Sequence, residues 1–165
     1  MDYQIIEKET FTVLERVESH SVLNQENAKS IPDFWTRAHR DGTVRKLLEL
    51  TIDRTSIFGI CYGGLPENAQ TFEYSIAAIC GEDAVVPDGF RKNTIPAGTW
   101  AVFDCTGAMP DAIQEMWHRI CTEFFPTSGY QPTYALDIEA YTEGVMSSPD
   151  YRSAIWVPVT KKESQ

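Results

Sequence analysis

Apolar residues along this chain recur with two periods, and the switches between them mark out the elements. Over Thr10–Val17, Phe11, Val13 and Val17 share one face of a predicted strand. A polar stretch runs on to Lys29. Ser30 then reads as an N-cap with Pro32 in the first turn, and Ile31, Phe34, Trp35 and Ala38 fall at i, i+3, i+4 and i+7 on one helical face. Asp41-Gly42 interrupts, and a shorter helical piece carries Val44, Leu47 and Leu48. Ser56–Tyr62 is a strand closed by Gly63-Gly64. Phe72–Cys80 is another, with Phe72, Tyr74, Ile76 and Ala78 on one side. Gly81–Lys92 is an aperiodic polar connector. Beyond it, Gly98–Cys105 reads as a strand, and Pro110 opens an amphipathic helix with Ile113, Met116, Trp117, Ile120, Cys121 and Phe124 on its stripe. Asp111 and Glu115 suit the N-terminal end of that helix, and Pro126 marks its stop. Leu136–Tyr141 and Ser153–Val159 are the last predicted strands.

The order strand, helix, strand, strand occurs twice. IPDFWTRA (31–38) aligns with IQEMWHRI (113–120), placing Trp35 over Trp117. GICYGG (59–64) aligns with IEAYTEG (138–144), placing Tyr62 over Tyr141. This predicts an α+β fold made of duplicated β-α-β-β units. It is a single domain over residues 1–165, with halves of roughly 1–80 and 93–165. The two units form one antiparallel-rich sheet with two main helices on one face and a ligand groove on the other. In LDIEAY (136–141), Leu136, Ile138 and Ala140 alternate with Asp137, Glu139 and Tyr141. The polar side of that strand is either solvated or lines a site that wants negative charge and flat rings. With the apolar side packed under the helices, Glu139 and Tyr141 face the groove.

Composition narrows the classes. The chain has 165 residues with 14 Lys+Arg against 24 Asp+Glu, a formal charge of −10. That balance argues against direct binding to nucleic acid, which relies on Lys and Arg. It leaves room for cationic ligands. No apolar run is long enough for a membrane span, and MDYQIIEKETF lacks the basic and apolar regions of a signal peptide. Cys61, Cys80, Cys105 and Cys121 form no C-x-x-C pair and read as buried, reduced thiols, which points to a cytoplasmic protein. His20, His39 and His118 stand outside any metal-binding pattern, so no metal is expected. No nucleophile elbow, Walker loop or dinucleotide fingerprint is present, and no cofactor is expected. A Cys121–His118 pair at i, i+3 is disfavoured because Cys121 lies on the apolar stripe. The aromatic wall candidates are Tyr62, Tyr74, Trp100, Tyr141 and Trp156. Tyr74 and Trp156 end the two half-repeats at equivalent places, and Phe103 has the opposite parity to Trp100. Trp35 and Trp117 read as core.

IPAGTWAVFDCTG (95–107), AIQEMWHRI (112–120), FFPTSGY (124–130), LDIEAY and IWVPV (155–159) together resemble the GyrI-like domain. This is the small-molecule-binding, effector-binding domain of AraC-type and MerR-type transcription regulators, and it also occurs alone. The resemblance implies a pocket between the halves. A buried glutamate at the position of Glu139 would face lipophilic, often cationic, ligands there. Trp156 and Trp100 would be aromatic neighbours. Two features depart from the family pattern. The chain leaves no room for a helix-turn-helix domain, so the standalone form is expected. Trp100 also stands where many relatives carry Tyr. The resemblance implies binding or sequestering of lipophilic cations, with a protein partner as a further role. The alternative it implies is a hydrolase of electrophilic lipophiles, with Glu139 as general base and Tyr62 or Tyr141 as acid.

Overall fold

In the computed structural model, which describes residues 1–163, nine strands form one antiparallel sheet. In chain order the elements are β1 (Tyr3–Lys8), β2 (Phe11–Ser21), α1 (Asn27–Arg40), α2 (Thr43–Leu50), β3 (Ile57–Tyr62), β4 (Thr71–Cys80), β5 (Arg91–Ile95), β6 (Gly98–Thr106), α3 (Asp111–Arg119), β7 (Tyr130–Pro132), β8 (Leu136–Tyr141) and β9 (Arg152–Lys161). The sheet runs β1-β6-β9-β8-β3-β4-β2-β5, with β7 added beside β9. The order is symmetric about the β3–β8 pair. The set β4-β2-β5 on one side mirrors β9-β6-β1 on the other, as a duplicated unit requires.

β1 and β2 are joined by Glu9-Thr10 alone, yet they lie towards opposite ends of the sheet. Three virtual bonds span about 11 Å at most. The sheet must therefore curl until its two ends meet, and the Pro96-Ala97 link between β5 and β6 imposes the same closure. The inner face is filled by Val13, Phe58, Ile60, Trp100, Ile138 and Ala140. Ring contacts cross the curl: Phe11–Trp100 at 6.1 Å, Phe58–Trp156 at 4.9 Å and Trp100–Trp156 at 6.4 Å. Lys8 Nζ lies 4.0 Å from the centroid of the Trp156 ring.

The outer face carries the helices in two separate layers. Phe34, Ala38 and Leu47 from α1 and α2 pack on Leu14, Ile76 and Ala78. Ile113, Met116, Ile120 and Phe124 pack on Phe103, Ile155 and Val157. Between these layers the outer face of β3 and β8 is only partly covered, Ile57 of β3 joining the first layer while Cys61, Asp137 and Glu139 stay open to a cavity.

The observed elements refine the expectations. α1 starts at Asn27, three residues before Ser30, and the Ser30 hydroxyl lies 2.7 Å from His20 Nδ1 instead of capping. Pro126 does not stop the second helical run, which continues through a π turn (Ile120–Phe124) to Thr127. Cys121 is exposed rather than buried, at the margin of the stripe, with Ile120 and Phe124 turned inward. Cys80 and Cys105 are buried, Cys61 is half-buried, and all four thiols are free. β1, β5 and β7 were not anticipated, being short edge additions with weak alternation. Among the described residues, no helix is long and apolar enough to cross a membrane.

Trp100 is 2% exposed and anchors the inner face. Trp100→Ala is expected to lower the unfolding free energy by about 3–5 kcal/mol, read from chemical denaturation. A loss under 1 kcal/mol would show that the curled interior does not depend on it.

Candidate functional site

The open part of the strip over β3 and β8 is the floor of a cavity of about 1180 Å³. α1 forms one wall through Ile31 and Trp35, and α3 forms the other through Trp117. Strand alternation decides what the floor presents. Ile138 and Ala140 are committed to the inner core, so Asp137, Glu139 and Tyr141 point outward into the cavity. On the neighbouring strands, Gly59, Cys61 and Tyr74 share that face.

Gly59 pairs directly with Glu139. A Cβ at Gly59 would lie 2.1 Å from the Tyr74 hydroxyl oxygen and 3.4 Å from the Trp35 ring. The bare backbone there lets the Tyr74 ring lie across β3. The Trp35 indole N–H donates to the Tyr74 hydroxyl at 2.8 Å. The Trp35 ring also meets Tyr141 edge-on, with centroids 5.2 Å apart. The Tyr141 hydroxyl in turn donates to Glu139 Oε2 at 2.9 Å.

The electrostatics follow from burial beside apolar walls. Burial raises the Glu139 carboxyl above its ordinary value, and hydrogen bonds from Tyr141 and the Trp117 indole pull it partly back. Asp137 is raised from 3.8 to about 7, by burial and then by the like charge of Glu139, with no donor to offset them. The Cys61 thiol is pushed up to about 12 by burial and by both carboxylates. Burial also raises the Tyr74 and Tyr141 phenols, which keep their protons. The floor is thus a low-dielectric acidic region, and among the described residues no cation forms an ion pair with Asp137 or Glu139. Arg54 is exposed at the edge of the cavity.

The residues anticipated from sequence divide between the two sheet faces. Glu139, Tyr141 and Tyr74 come together in the cavity. Trp100, Trp156 and Tyr62 lie against the inner core and do not line it. The hollow is therefore on the helix-bearing side of the sheet and not on the opposite face, because the curl fills that opposite face with side chains. Tyr62 and Tyr141 are not equivalent. Gly59 pairs with Glu139 and Ile60 with Ile138, which puts Tyr62 on the opposite face from Tyr141, so the alignment of GICYGG with IEAYTEG slips by one residue. The Tyr62 hydroxyl donates instead to buried Glu15 at 2.5 Å, with Arg91 Nε 2.7 Å from the same carboxylate.

Trp35 and Trp117 are wall residues, not core. They are only half-buried, at the margins of their helical stripes. Their coincidence in the repeat was the available signal. Asp137 also lines the floor, and alternation with Glu139 was its signal. Among the described residues, no group of three or more His, Cys, Asp or Glu is placed to hold a metal.

Comparison with known proteins adds a family and a fold. A family model described as Cass2, integron-associated effector binding protein, matches residues 4–159. Among solved structures, SAV2435 bound to tetraphenylphosphonium superposes with a TM-score of 0.82 at 24% identity, over 97% of this chain and 94% of that one. A putative bacterial transcription regulation protein from Staphylococcus aureus MU50 gives 0.79 at 24% identity, over 96% and 98%. An integron cassette protein from the mobile metagenome of Vibrio cholerae gives 0.69 at 19% identity, over 96% and 95%. These likenesses establish a shared fold. No curated protein matches the chain in sequence.

Two outcomes are expected from the site's construction. Gly59→Ala should displace the Tyr74 ring and break its bond to Trp35, at a cost of about 1–3 kcal/mol. Denaturation and the Trp35 emission read this, and an unchanged spectrum with unchanged stability would contradict the close packing. The second concerns pH. Because folding raises the Asp137 carboxyl from 3.8 to about 7, the folded chain holds a proton there that the unfolded chain has released. This contribution to stability is intact below the lower value and is lost as pH rises through the upper one. Asp137→Asn should therefore raise Tm relative to the parent more at pH 8 than at pH 5, and an equal difference at both would refute it.

Proposed function

The chain belongs to the Cass2 family of integron-associated effector binding proteins, and from that premise we propose that it captures lipophilic, cationic small molecules in the cavity between α1 and α3. Glu139 supplies the charge partner. Trp35, Tyr74, Trp117 and Tyr141 supply flat, polarisable walls. Residues 1–165 act as one binding domain, with each half, 1–80 and 93–165, contributing one helix wall. It works as a standalone effector-binding protein that sequesters its ligand or reports it to a separate protein.

The observation that carries this reading is the half-buried Glu139 carboxylate facing a roomy aromatic hollow. The neutral Tyr141 hydroxyl donates to it, and among the described residues no cation forms an ion pair with it. A buried carboxylate without a countercharge is unfavourable. A cation entering between the rings would relieve it through Coulomb attraction and through cation–π contact worth about 0.5–2 kcal/mol. The solved relative with a bound tetraphenylphosphonium holds a ligand of that chemistry. Mostly apolar lining with few convergent polar groups is the usual make-up of small-molecule sites.

Capture is favoured over hydrolysis by the same geometry. Of the two acids a Glu139 general base would require, Tyr62 is on the other sheet face. Tyr141 already donates its proton to Glu139 and has its phenol raised by burial, which makes it a weaker acid.

Tetraphenylphosphonium is the natural probe. Titration calorimetry is expected to show binding by the parent protein that Glu139→Gln weakens by about tenfold or more. Equal affinities in the two proteins would remove the charge role of Glu139.

A further inference from the structure

Behind Trp117 lies a second hollow of about 270 Å³. It is not a separate feature of the surface. Cys61, Trp117 and Asp137 line both this hollow and the main cavity, so the partition between them is one layer of side chains thick. The remaining walls are apolar, from Phe125, Leu136 and Val157.

Tyr134, one of its lining residues, is 73% exposed and holds a positive φ of 64°. That conformation is unfavourable for a bulky residue and persists only where surrounding structure fixes it. The fixing contact is visible. Gly63 donates its N–H to the Ala135 carbonyl at 2.9 Å, and a Cβ at Gly63 would lie 2.2 Å from the Tyr134 carbonyl oxygen. A glycine is thus required at position 63 for this backbone beside the hollow to pack as it does.

The Trp117 ring, an apolar back wall and one carboxylate make a compartment suited to a compact cation. Asp137 provides that carboxylate, and no side chain among the described residues donates a hydrogen bond to it. It is two residues from Glu139 on the same strand face, so the two acidic groups leave the backbone about 7 Å apart. The side hollow is too small for a second bulky lipophile but admits a head group the size of a quaternary ammonium.

We propose that the hollow behind Trp117 is a second cation subsite served by Asp137, and that the protein thereby selects ligands with two cationic centres, a bulky aromatic one at Glu139 and a compact one at Asp137. This rests on the reading that Glu139 binds a lipophilic cation in the main cavity. It adds a specificity determinant that such binding does not itself require. Trp117 divides the two compartments and so stacks on both centres.

The test uses two matched probes at pH 8.5. One is hexyltriphenylphosphonium carrying a terminal trimethylammonium, and the other carries the neutral tert-butyl isostere at the same end. The parent protein is expected to bind the dication tighter by about tenfold or more, and Asp137→Asn to reduce that ratio to about one. Asn is close in size to Asp and removes an unfavourable buried charge, so the variant folds. A parent ratio near one, or a ratio that survives Asp137→Asn, overturns the proposal. Failure of the underlying reading looks different, since the parent would then bind neither probe, or Glu139→Gln would leave both affinities unchanged.

Discussion

The two-residue links Glu9-Thr10 and Pro96-Ala97 are the constraint on which the rest of the molecule depends. Each joins strands that belong to opposite ends of the sheet, and neither is long enough to let a flat sheet exist. The curl they impose creates an interior on one face, and that interior takes the large side chains of parity-matched positions: Phe58, Trp100, Ile138 and Trp156. Everything of opposite parity is sent outward. On β8 this leaves Asp137, Glu139 and Tyr141 no alternative direction, because a one-residue slip would place two carboxylates in the aromatic interior. The acidic floor is therefore fixed by a packing requirement on the other side of the sheet.

A second consequence follows from the duplication. Each unit lays its helices over its own strands, and the two layers only partly cover the central β3–β8 pair. An outer strand surface that would ordinarily be covered is left partly open at the symmetry centre. The acidic groups lie on that strip, so they are partly desolvated by helix walls without being packed. This combination raises the carboxyls of both Glu139 and Asp137 while leaving them reachable. The two differ in support. Glu139 accepts a hydrogen bond from the Tyr141 hydroxyl, whereas Asp137 has no donor among the described residues, and Asp137 is the one raised to about 7.

The sequence was informative where period and parity alone decide the outcome. The alternation of LDIEAY identified the face of Glu139 and Tyr141, and the repeat of Trp35 at Trp117 exposed the duplicated α+β unit. The motifs that resembled an effector-binding domain lead to the family that matches. The side of the sheet bearing the hollow was not legible. Periodicity states which residues share a face but not which face the helices cover, and the curl that settles the matter depends on pairings between residues about ninety apart, such as Lys8 with Gly98. For the same reason Trp100, Trp156 and Tyr62 could not be separated from Tyr74 and Tyr141. The apolar stripe expected from sequence includes Cys121, although helical phase puts it at the margin, where it is exposed.

An apolar hollow of this size tends to collapse, since close packing of its walls gains dispersion contacts and removes apolar surface from water. The arrangement of polar handles explains how it stays open. Trp35 is tied to Tyr74 through its indole N–H and meets Tyr141 only edge-on, and Tyr141 is tied to Glu139. Trp35 and Tyr141 are thus each anchored by a hydrogen bond to a neighbouring side chain on the sheet. Moving either ring inward to fill space would break a hydrogen bond whose partner is itself desolvated, which is costly. Gly59 completes the arrangement by leaving the Tyr74 hydroxyl room to reach Trp35 above β3. The Tyr141 ring is held by the same carboxylate that gives the floor its charge. Shape and electrostatics are therefore one network, in which Glu139 is both the charged group facing the hollow and an anchor of its aromatic wall.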